Sequence, residues 1–212
     1  AGILSTSSST TTNATPGANT TTNATSTAGT NSNNKIYNNK ISNVTQGIYF
    51  ICTPITSSIF ETGNDIGGLS AATGNTITFG NVSGGSGPWN NSTTSVVAGI
   101  HFRNGAGNNI QNNIITSSSL SYSASNFGGI LVSTGTAPTG VTYTTTISNN
   151  TISLTNTGTT AITGIDYAYG IATGTIVGSN NAITINQNAS AAVSAAVIGI
   201  KASYASATNT LN

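Results

Sequence analysis

Asn149-Asn150-Thr151-Ile152-Ser153, Gly164-Ile165-Asp166-Tyr167, Asn181-Ala182-Ile183-Thr184 and Gly199-Ile200-Lys201-Ala202 are the stretches that decide how this chain is read. They are two alternating signatures, an Asn segment (Asn-x-Ile/Leu-x) and a Gly segment headed by Gly and Ile. Working outward, the Asn segment recurs at Asn39, Asn75, Asn113, Asn150, Asn181 and Asn209, in steps of 36, 38, 37, 31 and 28 residues. The Gly segment recurs at Gly2, Gly47, Gly99, Gly129, Gly164 and Gly199, and the two alternate without exception. Self-similarity at a period of a few tens of residues marks a solenoid, in which each repeat is one coil and neighbouring coils bury a shared core.

Within each signature the apolar residues fall at every second position, the spacing of a short strand with one face on a core. No window carries a capped 3.6-residue apolar stripe, and Ala189 to Ile200, the nearest to one, reads as strand and turn. The expected fold is therefore all-β: a parallel β-helix of five to six coils, 28 to 52 residues each, wound in the right-handed sense of parallel crossovers. Residues 1–212 read as one continuous β-solenoid. Within it lie a Ser/Thr/Asn-rich low-complexity tract at 5–32 and a looser coil with a protruding loop at 52–98, which holds Pro54, Pro88 and the single Trp89.

Stacking coils as parallel strands about 4.8 Å apart turns equivalent residues into columns. Ile3, Ile48, Ile100, Ile130, Ile165 and Ile200 form one inward column; Ser5, Phe50, Phe102, Val132, Tyr167 and Ala202 form a second. The Asn segment supplies a third, of Ile41, Ile77, Ile115, Ile152, Ile183 and Leu211. The heading Asn suits a left-handed corner, and its carboxamide can form a ladder from coil to coil. The heading Gly suits a bend where a side chain would strike the next coil.

Composition limits what such an object can do. Charged residues are 3% of the chain and the net charge is +1, with no basic run, so the phosphate-neutralising cations that nucleic-acid binding needs are missing. Cys52 is the only cysteine, which excludes an intrachain disulfide and a cysteine-based zinc cluster. No apolar run approaches the ~20 residues of a membrane span. Disordered chains are typically charge-rich and poor in β-branched residues, whereas this one keeps Ile at fixed places.

The Asn-Asn-x-Ile and Gly-Ile-x-aromatic segments, set in a charge-poor chain rich in Asn, Thr, Ser and Gly, resemble the right-handed parallel β-helix repeat proteins secreted to the cell surface by Bacteroidota-type bacteria. The resemblance implies an extracellular location and a role as fibre or adhesin, and it carries no active-site motif. Enzymes also use β-helices, so the ionisable residues need testing one by one. A glycosidase needs two carboxyl groups about 5–10 Å apart. Glu61 and Asp65, near Trp89 as a sugar platform, are the one pair close enough in sequence. A calcium-assisted lyase needs more carboxylates than the three present.

His101, Asp166 and Lys201 share the outward column of the Gly segment with Leu4, Tyr49 and Leu131. Leu131 separates His101 from Asp166 by two steps, about 10 Å, too far for a catalytic pair. This column is expected to be an exposed mixed face, with Asp166 and Lys201 as an ion pair across adjacent coils. A second outward surface presents Lys40 and Ser42, Thr76 and Thr78, Ile114 and Thr116, Thr151 and Ser153, Ala182 and Thr184, a hydroxyl array of the type that can bind ice. Asn-x-Ser/Thr sequons fall at Asn13, Asn19, Asn23, Asn43, Asn81, Asn90, Asn91, Asn149 and Asn188.

The sequence thus points to a structural or interaction protein, a repeat segment of an extracellular fibre, stalk or adhesin. The alternatives are a carbohydrate-binding or polysaccharide-degrading β-helix and an ice-binding surface. It is read as not an enzyme, with no catalytic residue, no cofactor and no metal. Its expected partners are further repeats or identical copies set end to end, with surface glycans as candidate ligands. Both termini, Gly2-Ile3-Leu4 and Asn209-Thr210-Leu211-Asn212, are expected to lie inside the repeat array.

Overall fold

The structure is a computed structural model, and it describes residues 2–6, 32–44, 46–51, 62–80, 96–103, 107–117, 126–133, 143–157, 161–168, 174–188, 196–202 and 208–211. Every strand pairing in it is parallel, and the strands stack into three sheets. Sheet A contains the Gly segments: β1 (Ile3–Thr6), β4 (Ile48–Ile51), β7 (Val96–Arg103), β10 (Asn126–Ser133), β13 (Ile162–Ala168) and β16 (Val197–Ala202). Sheet B contains β2 (Lys35–Ile36), β5 (Asp65–Ile66), β8 (Asn109–Gln111), β11 (Tyr143–Ser148), β14 (Gly174–Ser179) and β17 (Thr208–Leu211). Sheet C contains the Asn segments: β3 (Lys40–Val44), β6 (Thr76–Phe79), β9 (Ile114–Ser117), β12 (Thr151–Asn156) and β15 (Ala182–Gln187).

The chain visits A, B and C in turn through five coils and then adds β16 and β17. This is a parallel β-helix, consistent with the right-handed winding that parallel crossovers take. The tract at 7–31 and the segments 52–61 and 81–95 of the looser coil lie outside the described residues, and Glu61 and Trp89 with them.

The Gly-segment register is the one the sequence predicts: Ile3, Ile48, Ile100, Ile130, Ile165 and Ile200 are consecutive pairing partners. Four of these, from Ile48 to Ile165, are fully buried. Two residues on, the rings of Phe50 and Phe102 stack with centroids 4.7 Å apart, close to the strand spacing itself. In sheet C, Ile41, Ile77, Ile115, Ile152 and Ile183 are likewise in register.

Leu211 does not belong to that column. It pairs with Gly178 in sheet B, and Gly178 in turn pairs with Ile147, so the last Asn-x-Leu belongs to sheet B. Sheet B itself is what the sequence reading merged into its neighbours. Its inward column is Ile36, Ile66, Ile110 and Ile147, the last three of them fully buried. Asn34-Lys35-Ile36, Asn64-Asp65-Ile66 and Asn108-Asn109-Ile110 carry the Asn-x-Ile signature 5, 11 and 5 residues ahead of the sheet C Asn. That spacing was the available signal for a third face.

Asn does two jobs at the corners, and adjacent residues divide them. Asn38, Asn112, Asn149 and Asn180 supply the left-handed backbone, with φ between 52° and 59°. The following Asn residues form the ladder. The backbone N–H and Nδ2 of Asn39 both donate to Oδ1 of Asn75, and Asn75 does the same to Asn113, Asn113 to Asn150, and Asn150 to Asn181, at 2.9–3.2 Å. Each Nδ2 from Asn75 to Asn181 also donates to the carbonyl of the sheet B residue one coil back, Ile36, Ile66, Ile110 or Ile147. Buried carboxamides with every donor and acceptor engaged cost little to desolvate and fix the register.

A second, shorter ladder heads sheet B. Asn34 donates to Oδ1 of Asn64, and the Asn64 N–H to Oδ1 of Asn108. In the next coil the position is Thr145, whose hydroxyl accepts the Gly107 N–H, and in the one after it is the apolar Ile176.

The heading glycines are explained by close approach. A Cβ on Gly129 would lie 2.7 Å from the Gly164 carbonyl oxygen and 2.6 Å from the Ile152 methyl, and Gly47, Gly99 and Gly164 meet the equivalent pair of atoms. Only glycine lets the sheet A strand pass so near both the next coil and the sheet C isoleucine of its own coil.

Candidate functional site

The outward column of sheet A is in register as predicted, Tyr49, His101, Leu131, Asp166 and Lys201 in order, but it is not an exposed face. Tyr49, His101 and Leu131 are 7%, 5% and 7% exposed. The Tyr49 and His101 rings stack with centroids 4.7 Å apart and planes within 7°. Period two tells which side of a sheet a residue occupies and is silent on what else packs against that side. Leu131 lies between His101 and Asp166, so the two do not form a catalytic pair.

Toward the C-terminal end this column opens to solvent. Nζ of Lys201 lies 3.5 Å from Oδ2 of Asp166, the ion pair that the sequence predicts, with the lysine side chain 47% exposed and the aspartate 17%. A pair of this exposure contributes about 0–1 kcal/mol.

Asp65, the carboxylate named as half of a glycosidase pair, holds the corner between sheets B and C. Its Oδ2 accepts the Tyr37 hydroxyl and its Oδ1 the Gly68 N–H at 3.2 Å. Where other coils turn directly from sheet B into sheet C, this one inserts the Gly67-Gly68 turn, a well-exposed Leu69 and a short 3-10 turn at Ala71–Thr73. The hydrogen bond to Asp65 is the main cause that raises the Tyr37 pKa above its ordinary value. A raised phenol pKa means that this contribution is complete below about pH 10 and is lost as the pH climbs through the folded-state value.

Tyr167 follows Phe50, Phe102 and Val132 in their column. It is 1% exposed, and its hydroxyl has no hydrogen-bond partner among the described residues. Burial pushes its pKa far above the ordinary phenol range. A buried hydroxyl without a partner costs roughly 1–3 kcal/mol. Tyr167→Phe is therefore expected to raise the melting temperature, and a lowered one would mean that the hydroxyl has a stabilising role.

The outer face of sheet C presents two columns in regular register. Lys40, Thr76, Ile114, Thr151 and Ala182 form one exposed column. Beside it Thr78, Thr116, Ser153 and Thr184 form a continuous column of hydroxyls. The hydroxyl column does not extend regularly to Ser42. A β-bulge at Ser42 and Asn43, with Asn43 at φ 58°, shifts the register between Ile41 and Val44. Of the sequons, Asn43, Asn149 and Asn188 are described and exposed.

Among the described residues, no group of three or more His, Cys, Asp or Glu is arranged to hold a metal ion, and no helix is long and apolar enough to cross a membrane. No protein-family model, curated protein or solved structure matches the chain significantly. The class is thus defined by the architecture alone: a three-sheet parallel β-solenoid repeat protein. That fold is compatible with structural, adhesive and carbohydrate-binding roles.

Proposed function

We propose that this chain is a structural and interaction segment of an extracellular protein, a stretch of solenoid serving in a fibre, stalk or adhesin and not in catalysis. The observation that carries the reading is the continuity of its columns. Isoleucine columns and the Asn39–Asn75–Asn113–Asn150–Asn181 ladder run from coil to coil along one axis, so each coil is built on its neighbour in the same way. The two described carboxylates support a non-catalytic role, since Asp65 is engaged by Tyr37 and Gly68 on sheet B and Asp166 by Lys201 on sheet A. The resemblance to cell-surface repeat proteins of Bacteroidota-type bacteria supports the location, and surface glycans are the ligand class proposed for the hydroxyl-rich face of sheet C.

Immunogold labelling of intact source cells with an antibody to the folded chain tests this. Gold on the cell surface or on filaments is expected; label seen only after permeabilisation contradicts it. Cleavage of a polysaccharide by the purified chain, lost on Asp65→Asn, would overturn the non-catalytic reading.

A second reading, adsorption to ice, draws on the Thr78–Thr116–Ser153–Thr184 column. The adjoining column breaks the lattice with Lys40, Ile114 and Ala182, so no thermal hysteresis is expected.

A further inference from the structure

We propose that the outward face of sheet B around Asp65 is a saccharide-binding site, in which the Tyr37 ring is the platform for a sugar and Asp65, Asn109 and Gln111 take hydroxyls of a neutral hexose. The site lies where the repeat is broken. Other coils turn from sheet B into sheet C on a single left-handed Asn, at Asn38, Asn112, Asn149 and Asn180. The coil between Asn38 and Asn112 instead uses Gly67 to Gly74 for the turn, with Gly67 and Gly68 at φ 102° and 70°. Insertions in a solenoid map to loops on one face, often the face that binds, and departures from a locally consistent pattern concentrate at functional sites.

The insertion is tied to the coils on both sides of it. The Gly67 N–H donates to the Ile36 carbonyl at 2.9 Å, and the Thr73 carbonyl accepts the Asn38 N–H at 2.8 Å. From the other side, Nδ2 of Asn112 donates to the Gly68 carbonyl at 2.7 Å. Within the turn the Thr73 hydroxyl donates to the Ser70 carbonyl at 2.8 Å. Asp65 closes the base by accepting the Gly68 N–H and the Tyr37 hydroxyl, which pins the far end of the Tyr37 ring. The edge of that ring runs beside the turn, with Cε1 of Tyr37 3.2 Å from where a Cβ on Gly68 would sit. Leu69, next in the chain and 85% exposed, adds an apolar rim. A ring and a loop already fixed in place lose little freedom when a ligand arrives.

The polar groups share one face. Asp65 pairs with Lys35 on one side and Asn109 on the other, and Gln111 lies on the same side of its strand as Asn109, with the buried Ile110 between them. Tyr37, Asp65, Asn109 and Gln111 are all half-buried, so part of each is open to solvent. A carboxylate offers about four lone-pair sites, and Asp65 gives one oxygen to Tyr37 and the other to Gly68, which leaves capacity for hydroxyl donors. Each carboxamide brings donors and an acceptor, the complement that neighbouring sugar hydroxyls require. The tyrosine ring supplies apolar surface for the C–H face of the sugar. Lys35 and Asp65 are opposite in sign, so the site has no net charge and suits a neutral sugar better than an acidic one. It is separate from the hydroxyl face of sheet C, and it rests on the proposed function for its biological ligand, a surface glycan.

Saturation-transfer NMR of the purified chain with the methyl glycosides of glucose, galactose and mannose tests the site. Saturable binding of at least one is expected, weakened at least about tenfold by Tyr37→Ala and by Asn109→Ala, and unchanged by Thr116→Ala on sheet C. Asn109 occupies an outward position, so Asn109→Ala should melt like the parent and reports on binding alone even where Tyr37→Ala disturbs the corner. The methyl glycoside of galacturonic acid should bind more weakly than that of galactose. No saturable binding, binding indifferent to Asn109→Ala, loss of binding on Thr116→Ala, or preference for the uronide would each overturn the proposal. Absence of the protein from the cell surface would leave these binding measurements untouched, so the proposed location and the site fail separately.

Discussion

Ile152→Asp is expected to abolish cooperative folding, while Thr151→Asp melts like the parent. The two residues are neighbours on β12, and period two sends them to opposite sides. Ile152 is 1% exposed, stacked between Ile115 and Ile183, with a methyl set against Gly129. A carboxylate there is surrounded by hydrocarbon. Burying it unpaired costs several kcal/mol, and the loss of the isoleucine's own packing adds roughly 2–5 kcal/mol. Small domains are stable by only about 5–15 kcal/mol, so the sum takes most or all of it. Thr151 lies on the exposed face between Ile114 and Ala182, where a substitution is usually worth within about 0.5 kcal/mol. Thermal melts followed by far-UV circular dichroism compare the pair directly, and equal stabilities would contradict the inward assignment.

Asn113→Asp changes one atom and is expected to cost nearly as much. Oδ1 of Asn113 accepts both the backbone N–H and Nδ2 of Asn75. Its Nδ2 lies 2.9–3.0 Å from three acceptors, Oδ1 of Asn150 and the carbonyls of Ile66 and Gln111. Aspartate would keep the accepting half of this arrangement and turn the donating half into an oxygen facing three oxygens. Asn113 is fully buried, so the group either stays charged without compensation or takes up a proton that serves only one of the acceptors. A loss of about 3–5 kcal/mol follows from leaving a buried charge unpaired. The same exchange at Asn181, half-buried at the end of the ladder, should cost clearly less. Denaturant melts of both variants test this, and equal small losses would mean that the ladder is incidental to stability.

The glycine that Ile152 packs against and the Asn ladder that Asn113 belongs to show why much of the fold was legible in the sequence. The backbone at Gly129 and the corner at Asn150 each accept one residue type for steric or hydrogen-bonding reasons, and such positions survive as a readable period even in a charge-poor chain. Sheet B was less legible because β2 and β5 are two residues long and because the Asn-x-Ile signature of sheet B is the same as that of sheet C. Asn209-Thr210-Leu211 was assigned to sheet C because it matches a signature that sheets B and C share. Burial of Tyr49, His101 and Leu131 could not be read at all, since alternation specifies a face and not its cover. The bulge at Asn43 was hidden for a related reason: one inserted residue leaves composition unchanged and moves only the register. The candidate site was legible in part. The Asp166–Lys201 pair and the outer columns of sheet C follow from the repeat.

The central claim is that residues about one repeat apart in sequence are one strand spacing apart in space. Lys40, Thr76, Ile114, Thr151 and Ala182 are successive partners in the outer column of sheet C, so Lys40 and Ala182 are four steps apart, about 19 Å along the axis. Spin labels at Lys40→Cys and Ala182→Cys, with Cys52→Ser removing the native thiol, report that separation by double electron–electron resonance. A narrow distribution centred within the reach of the labels from 19 Å is the result the β-helix predicts. A broad distribution, or a centre beyond about twice that distance, would contradict it.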